Sequence, residues 1–197
     1  MLLLLIALVC AIVSLGSAGG QRQLLKAQQL AQEKAYAYEV QRHQVKYREL
    51  IEKYAAQYEL DPAFVAAIIK TESDYDPYAK SNKGALGLMQ FMPDSFEWIA
   101  PKFNIDKNNI AAIYEPENAI KMGCWLLNYI TEQFDGDPVL TACAYHAGWG
   151  NVKGWLKNSA YSGDGKTLAI EKIPYDNTKN YARKVMNSYA IYQQHHY

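Results

Sequence analysis

Asp61-Pro62-Ala63-Phe64-Val65-Ala66-Ala67-Ile68-Ile69-Lys70-Thr71-Glu72 is the stretch whose reading decides the fold. Asp followed by Pro is a helix-start signal, with Asp as N-cap and Pro at the first helical position. Phe64, Val65, Ile68 and Ile69 recur at helical spacing. Glu72 continues their stripe. A carboxyl group on a buried stripe is costly to ionise, so its pKa rises and it holds a proton near neutral pH, as a general acid must. The other reading ends the helix here and lets Glu72 swing out to water. Periodicity alone weighs the two evenly.

The residues that follow add a pattern. Ser73-Asp74-Tyr75-Asp76-Pro77-Tyr78-Ala79-Lys80-Ser81 reads as a loop, and Gly84-Ala85-Leu86-Gly87-Leu88-Met89-Gln90-Phe91-Met92-Pro93 reads as a tight turn that admits a close approach. The block resembles the signature of the soluble-type lytic transglycosylases, goose-lysozyme-like enzymes that cleave peptidoglycan. The matching places are Glu72-Ser73, Tyr75, Pro77, Ser81, Gly84 through Gln90, and Pro93. Two later blocks agree in order. Ala144-Tyr145-His146-Ala147-Gly148-Trp149-Gly150-Asn151-Val152 resembles the family's Ala-Tyr-Asn-Ala-Gly-x-Gly-x-Val. The segment from Ile173-Pro174-Tyr175 through Thr178, Tyr181 and Val185 resembles its closing Ile-Pro-Phe-x-Glu-Thr-x-x-Tyr-Val-x-x-Val. The resemblance runs from about Tyr47 to Tyr192.

The resemblance implies an all-α, lysozyme-like domain with at most a small β-hairpin around Ser81 to Met89. It implies the peptidoglycan glycan strand as substrate, cut between N-acetylmuramic acid and N-acetylglucosamine, with no metal and no organic cofactor. Glu72 becomes the catalytic acid and base. Ser81, Gln90, Met92, Tyr145, His146, Asn177 and Tyr181 become substrate-binding positions. Asp74 and Asp76 read as turn and capping residues. Plain readings compete at several places: Ser81 as a turn residue, Gln90 as a helix-start partner, Met92 as core, Tyr145 as buried in either case. Trp149 and Trp155 suit a sugar groove or the core equally.

Two positions depart from the family pattern. His146 stands for Asn, and Asn177 for Glu. Asn177 leaves Glu72 as the only strong carboxyl candidate. His146 lies near the end of a helix that stops at Gly148, where the helix dipole favours the imidazolium and raises its pKa, while burial acts the other way. Other function classes are a membrane-tethered peptidoglycan-binding or scaffold module, and a lysozyme-type hydrolase that uses water on the same fold.

Composition agrees with a globular chain: 197 residues, 50% hydrophobic and 20% charged, so a real core is affordable. A formal net charge of zero argues against nucleic acid, since phosphate binding wants a basic surplus. Sixteen tyrosines suit sugar faces and hydroxyls, though helix interfaces absorb tyrosine too. Residues 1–20 open with the uncharged run Met1 to Ala18, a signal peptide or short membrane anchor that places the rest outside the cytoplasm, either anchored in the membrane or secreted to the cell wall. Residues 21–45 are polar, rich in Gln, Ala and Lys, and read as a helical stalk. Residues 46–197 form the folded domain. Cys124 and Cys143 sit on apolar helix faces and read as buried thiols rather than a bridge, although export permits one. No Cys/His cluster has zinc spacing. His195 and His196 read as solvated, and Asn151 as the cap of a short helix.

Overall fold

The computed structural model describes residues 18–197. These residues fall into two compact units, with the boundary between Gln44 and Val45. The first holds helix α1 (Ala18–Arg42), whose Leu24, Leu25, Leu30, Tyr36 and Tyr38 are all exposed. No helix among the described residues is long and apolar enough to cross a membrane. The apolar run proposed as signal or anchor lies outside the described residues.

The second unit is helical: α2 (Arg48–Gln57), α3 (Pro62–Ser73), α4 (Pro93–Ile99), α5 (Pro116–Thr131), α6 (Pro138–Ala147), α7 (Trp149–Leu156) and α8 (Asp176–His195), with short 3₁₀ turns between α4 and α5, α5 and α6, and α7 and α8. Helix α3 is its centre. Asp61 caps it, its side chain accepting from Ala63 N at 2.8 Å, and Pro62 occupies the first turn. Every residue from Ala63 to Ile69 is buried, so this helix is wrapped on all sides. Burying Ile68 and Ile69 alone contributes roughly 1.5–3 kcal/mol each. Helix α3 packs chiefly against α8 and also touches α2, while α6 bridges α5, α7 and α8. Asp61 also ties α3 to α8, its Oδ2 accepting from Tyr189 Oη at 2.7 Å and Gln193 Nε2 at 3.1 Å.

Helix α3 ends by a left-handed turn. Asp74 and Tyr75 both have positive φ, 52° and 63°. Such backbone is unfavourable for residues with a Cβ. It is offset here by burial of Tyr75, whose hydroxyl lies 3.1 Å from that of Tyr192 and 3.3 Å from Ala66 O. The ion pair between Lys70 and Asp74 closes the same turn, and Asp76 accepts from Tyr78 N, so both aspartates serve as turn residues.

Several sequence expectations change. The small hairpin reduces to two isolated antiparallel bridges, Lys80 with Leu86 and Leu86 with Phe91, and no strand forms among the described residues. The block is too short and too glycine-rich for a ladder and folds instead as consecutive turns. Gly148, not Asn151, precedes α7; Asn151 lies inside it and donates to Ala147 O at 2.7 Å. His196 is half-buried, its ring edge-on to Tyr192 and its carbonyl accepting from Arg48 at 2.6 Å, so it is docked rather than solvated, whereas His195 is exposed. Cys124 and Cys143 are buried free thiols, both pushed up by burial.

Candidate active site

Glu72 occupies the last turn of α3, half-buried, and its fate answers the question periodicity left open. The carboxyl turns inward: Oε1 accepts from Tyr181 Oη of α8 at 2.7 Å. Burial pushes its pKa up to about 7, against the lowering effect of that hydrogen bond. Burial wins because removing water penalises the charge more than one neutral donor can restore. Tyr181 and Tyr145 both feel the Glu72 charge and are buried at the hydroxyl, so their pKa values lie well above the ordinary phenol value and both remain donors. Tyr145 is itself half-buried, and its hydroxyl donates to Met89 O at 2.8 Å rather than to Glu72.

The turn block stands against this helical wall. Ser73 Oγ donates to Leu88 O at 2.9 Å, tying the end of α3 to the block. Gln90 has φ of 49°, and its Nε2 donates to Gly87 O at 3.0 Å and Ala79 O at 3.2 Å. Left-handed backbone at a residue with a Cβ is often found at functional sites. Ser81 Oγ accepts from Ala85 N at 3.0 Å and Lys83 N at 3.3 Å. Gly87 has φ of 72°, and a Cβ there would stand 2.7 Å from Ile113 Cγ2 and 2.8 Å from its carbonyl oxygen, so only glycine fits. Met92, 43% exposed, is not core; it precedes α4 at the end of the block.

His146 and Asn177 form a second edge. His146 Nδ1 lies 3.1 Å from Thr178 Oγ1, and its ring stacks on Tyr181 at 4.6 Å with 28° between planes. Its pKa is lowered from the ordinary 6.5 by burial, with Lys83 adding repulsion. The helix-dipole expectation of a raised value is therefore overturned: desolvation and a neighbouring cation outweigh a dipole effect of ~0.3–1 kcal/mol. Asn177 is exposed in the first turn of α8. A cavity of about 360 Å³ is lined here by Lys83, His146, Tyr175, Asn177 and Thr178.

The structure thus brings Glu72, Tyr181 and His146 into one contact chain, and Tyr145, Gln90 and Ser81 into the turn block. Tyr181, placed among the substrate-binding positions by resemblance, is buried at 8% exposure, and its hydroxyl donates to Glu72. Sequence reasoning missed Gly123, whose absent Cβ makes room for the buried Met89 side chain; a Cβ would meet Met89 Cε at 2.4 Å. A lone glycine inside an apolar helix pattern was the available signal. It also missed Thr178 and Lys83 as partners of His146. Among the described residues, no group of three His, Cys, Asp or Glu side chains is placed to hold a metal ion.

The chain is similar to known proteins. The soluble lytic murein transglycosylase of Salmonella typhimurium is 33% identical over 156 residues, covering 79% of this chain and 24% of the relative. An inactive mutant of the lytic transglycosylase Slt from Pseudomonas aeruginosa superposes with a TM-score of 0.67 at 33% identity, over 75% of this chain and 24% of that one. A complex of the 70-kDa soluble lytic transglycosylase with bulgecin A gives a TM-score of 0.70 at 29% identity, over 90% and 31%. This chain spans about a quarter of the length of such curated relatives. The family model described as the transglycosylase SLT domain matches residues 49–168, from the first helix of the second unit through the turn block and past α7. With its all-α lysozyme-like fold, the chain belongs to the transglycosylase SLT domain family.

Proposed function

We propose that this domain is a peptidoglycan lytic transglycosylase that cuts the β-1,4 bond between N-acetylmuramic acid and N-acetylglucosamine and leaves 1,6-anhydromuramic ends. The observation that carries the reading is a single recessed carboxyl, Glu72, pushed up to about 7 and oriented by Tyr181 beside the Gly84–Gln90 block. Near neutral pH such a group populates both protonation states, and the reaction needs both.

Glu72 first donates its proton to the glycosidic oxygen, and the bond from that oxygen to the muramoyl anomeric carbon breaks. The acetamido oxygen of the same sugar bonds to the anomeric carbon and holds the developing cation. Glu72, now a carboxylate, then takes the proton of the C6 hydroxyl. The C6 oxygen attacks the anomeric carbon, the acetamido oxygen leaves it, and the 1,6-anhydro ring closes. Glu72 ends protonated, and no water is consumed. Acid-base help of this kind contributes ~10²–10⁴-fold in rate. Ser81, Gln90, Met92, Tyr145, His146 and Asn177 line the substrate's approach in this reading, and Tyr181 acts through Glu72. The names of the relatives, lytic murein transglycosylases, and the bulgecin A complex of one neighbour support the substrate class. The same substrate argues for an extracytoplasmic location, with the N-terminal run as signal or anchor.

Mass spectrometry of digested sacculi tests the reaction. Fragments with anhydromuramic ends are the expected product. Borohydride-reducible ends without anhydro species would make this a lysozyme-type hydrolase. No release at all would leave a binding or scaffold module.

A further inference from the structure

One surface of the domain has no part in this chemistry. Trp98 on α4, Trp125 and Tyr129 on α5, and Trp149 at the start of α7 form one aromatic cluster, with ring centroids 5.4 Å apart for Trp98 and Trp125, 5.6 Å for Tyr129 and Trp149, and 6.1 Å for Trp98 and Trp149. Trp98 remains 41% exposed and Trp149 37% exposed. Trp125 and Tyr129 are partly buried and pack against the core, whereas Trp98 and Trp149 are exposed. Phe96 and Ile99 already supply the inward face of α4, and Ile120, Cys124 and Leu127 supply that of α5. Lys121, Trp125 and Tyr129 instead follow one another at four-residue spacing, along a stripe of α5 that is only partly buried. Two exposed indoles in contact with two partly exposed rings make one continuous aromatic surface, and such a surface marks an interaction site.

Its chemistry points to a glycan. Indole and phenol rings offer flat apolar faces with a polar edge, which suits the C–H faces and hydroxyl rims of pyranose rings. Cations rim the patch: Lys102 Nζ lies 5.3 Å from the Trp98 ring centre and 5.0 Å from that of Trp125, and Lys121 Nζ lies 5.3 Å from Phe103. They suit the carboxylates of peptide stems carried by such a strand. Continuity with the site argues the same way. Met92 precedes α4, and Trp98 lies a rise of ~9 Å further along it. Trp149 follows His146 by only three residues, across Gly148. Both ends of the patch therefore hang from segments that carry site residues.

We propose that Trp98, Trp125, Tyr129 and Trp149 form an accessory platform that stacks sugars of the same glycan strand beyond the scissile bond. The inference rests on the peptidoglycan reading above and deepens it. Binding is read on the full chain carrying Glu72→Gln, by sedimentation with purified sacculi. Adding Trp98→Ala and Trp149→Ala raises the apparent Kd at least about ten-fold, while Phe at both positions retains most of the binding and the helical circular dichroism signal is kept. Trp98→Gln alone repeats the test with the rest of the cluster intact and lowers binding in the same direction. Undiminished sedimentation of the alanine and glutamine variants overturns the platform. So does a loss confined to phosphatidylglycerol vesicles with sacculus binding kept, which would assign the patch to a bilayer surface. Because the chain is inactive by design, a failure of the anhydro-product test leaves this measurement readable, and a failure here leaves that one readable.

Discussion

The site has two walls made in different ways. The helical wall, Glu72 on α3 with Tyr181 on α8, is held by burial, and its partners lie 109 residues apart in the chain. The turn wall, Ser81 through Met92, is held by hydrogen bonds within a dozen residues and by backbone that only particular residues tolerate. The first sets a proton affinity; the second sets a shape. Chemistry should therefore fail first when the helical wall is altered, and folding should fail first when the turn wall is.

Glu72→Gln is the strongest challenge to that division. Turnover of sacculi should fall by at least ~10²-fold with the fold intact. Stability should move the other way. A carboxyl raised from 4.5 to about 7 binds its proton more tightly when folded. Its contribution is complete below pH 4.5 and is lost as pH rises through 7. The glutamine variant should thus melt higher than the parent at pH 8 and no higher at pH 4. A gain independent of pH would show that Glu72 is not held protonated by burial.

On the turn wall, Gly87→Ala should cost about 2–4 kcal/mol in urea unfolding, combining left-handed strain with the clash against Ile113. Gly84→Ala sharpens the reading, because Gly84 also has positive φ, 87°, but open space around its Cβ direction. It should lose only the backbone part, about 1–2 kcal/mol. Equal losses at the two glycines would mean that Ile113 yields and that the block is looser than its contacts suggest.

These walls also differ in how far the sequence discloses them. Helix α3 was legible because the signals at Asp61 and Pro62 and the stripe through Ile69 are local. That Glu72 continues the stripe was legible as well, but whether its carboxyl turns inward, and onto what partner, was not. Periodicity says which face of a helix is buried and is silent about what lies across it, so the bond from Tyr181 to Glu72 was not legible. The turn block was recognisable as a pattern while its conformation was not: nothing local predicts φ of 49° at Gln90, or that Gly123 on a distant helix exists to seat Met89. The block stops at two isolated bridges for a related reason, since the glycines that suggested a turn also prevent a longer ladder.

Tyr181→Phe tests the link within the helical wall. It removes the hydrogen bond that holds the Glu72 pKa down, so that pKa should rise above about 7. The alkaline limb of the pH–rate profile should shift to higher pH, and activity at the optimum should fall by roughly three- to ten-fold, as for loss of one ordinary hydrogen bond. A lower rate with an unmoved limb would reduce Tyr181 to packing.

His146→Asn should give the smallest effect, and the structure changes where to look for it. The imidazole stacks on Tyr181 and points Nδ1 at Thr178. Burial and Lys83 hold its pKa below 6.5, so the ring is neutral through the neutral range. There one nitrogen donates and the other accepts, as an amide does, and parent and variant should behave alike. As pH falls well below 6.5 the folded ring at last takes a proton and loses its acceptor, while Asn is unchanged. The linkage has a definite sign: a depressed histidine pKa contributes stability above 6.5 that is lost as pH falls through the folded value. The parent's activity and melting temperature should both decline more steeply than the variant's on the acid side alone. Profiles that separate at pH 7 to 8 would contradict the neutral ring. Profiles that superimpose down to pH 4 would leave His146 as a packing replacement for the family's asparagine, supporting Tyr181 by its face and taking no part in titration.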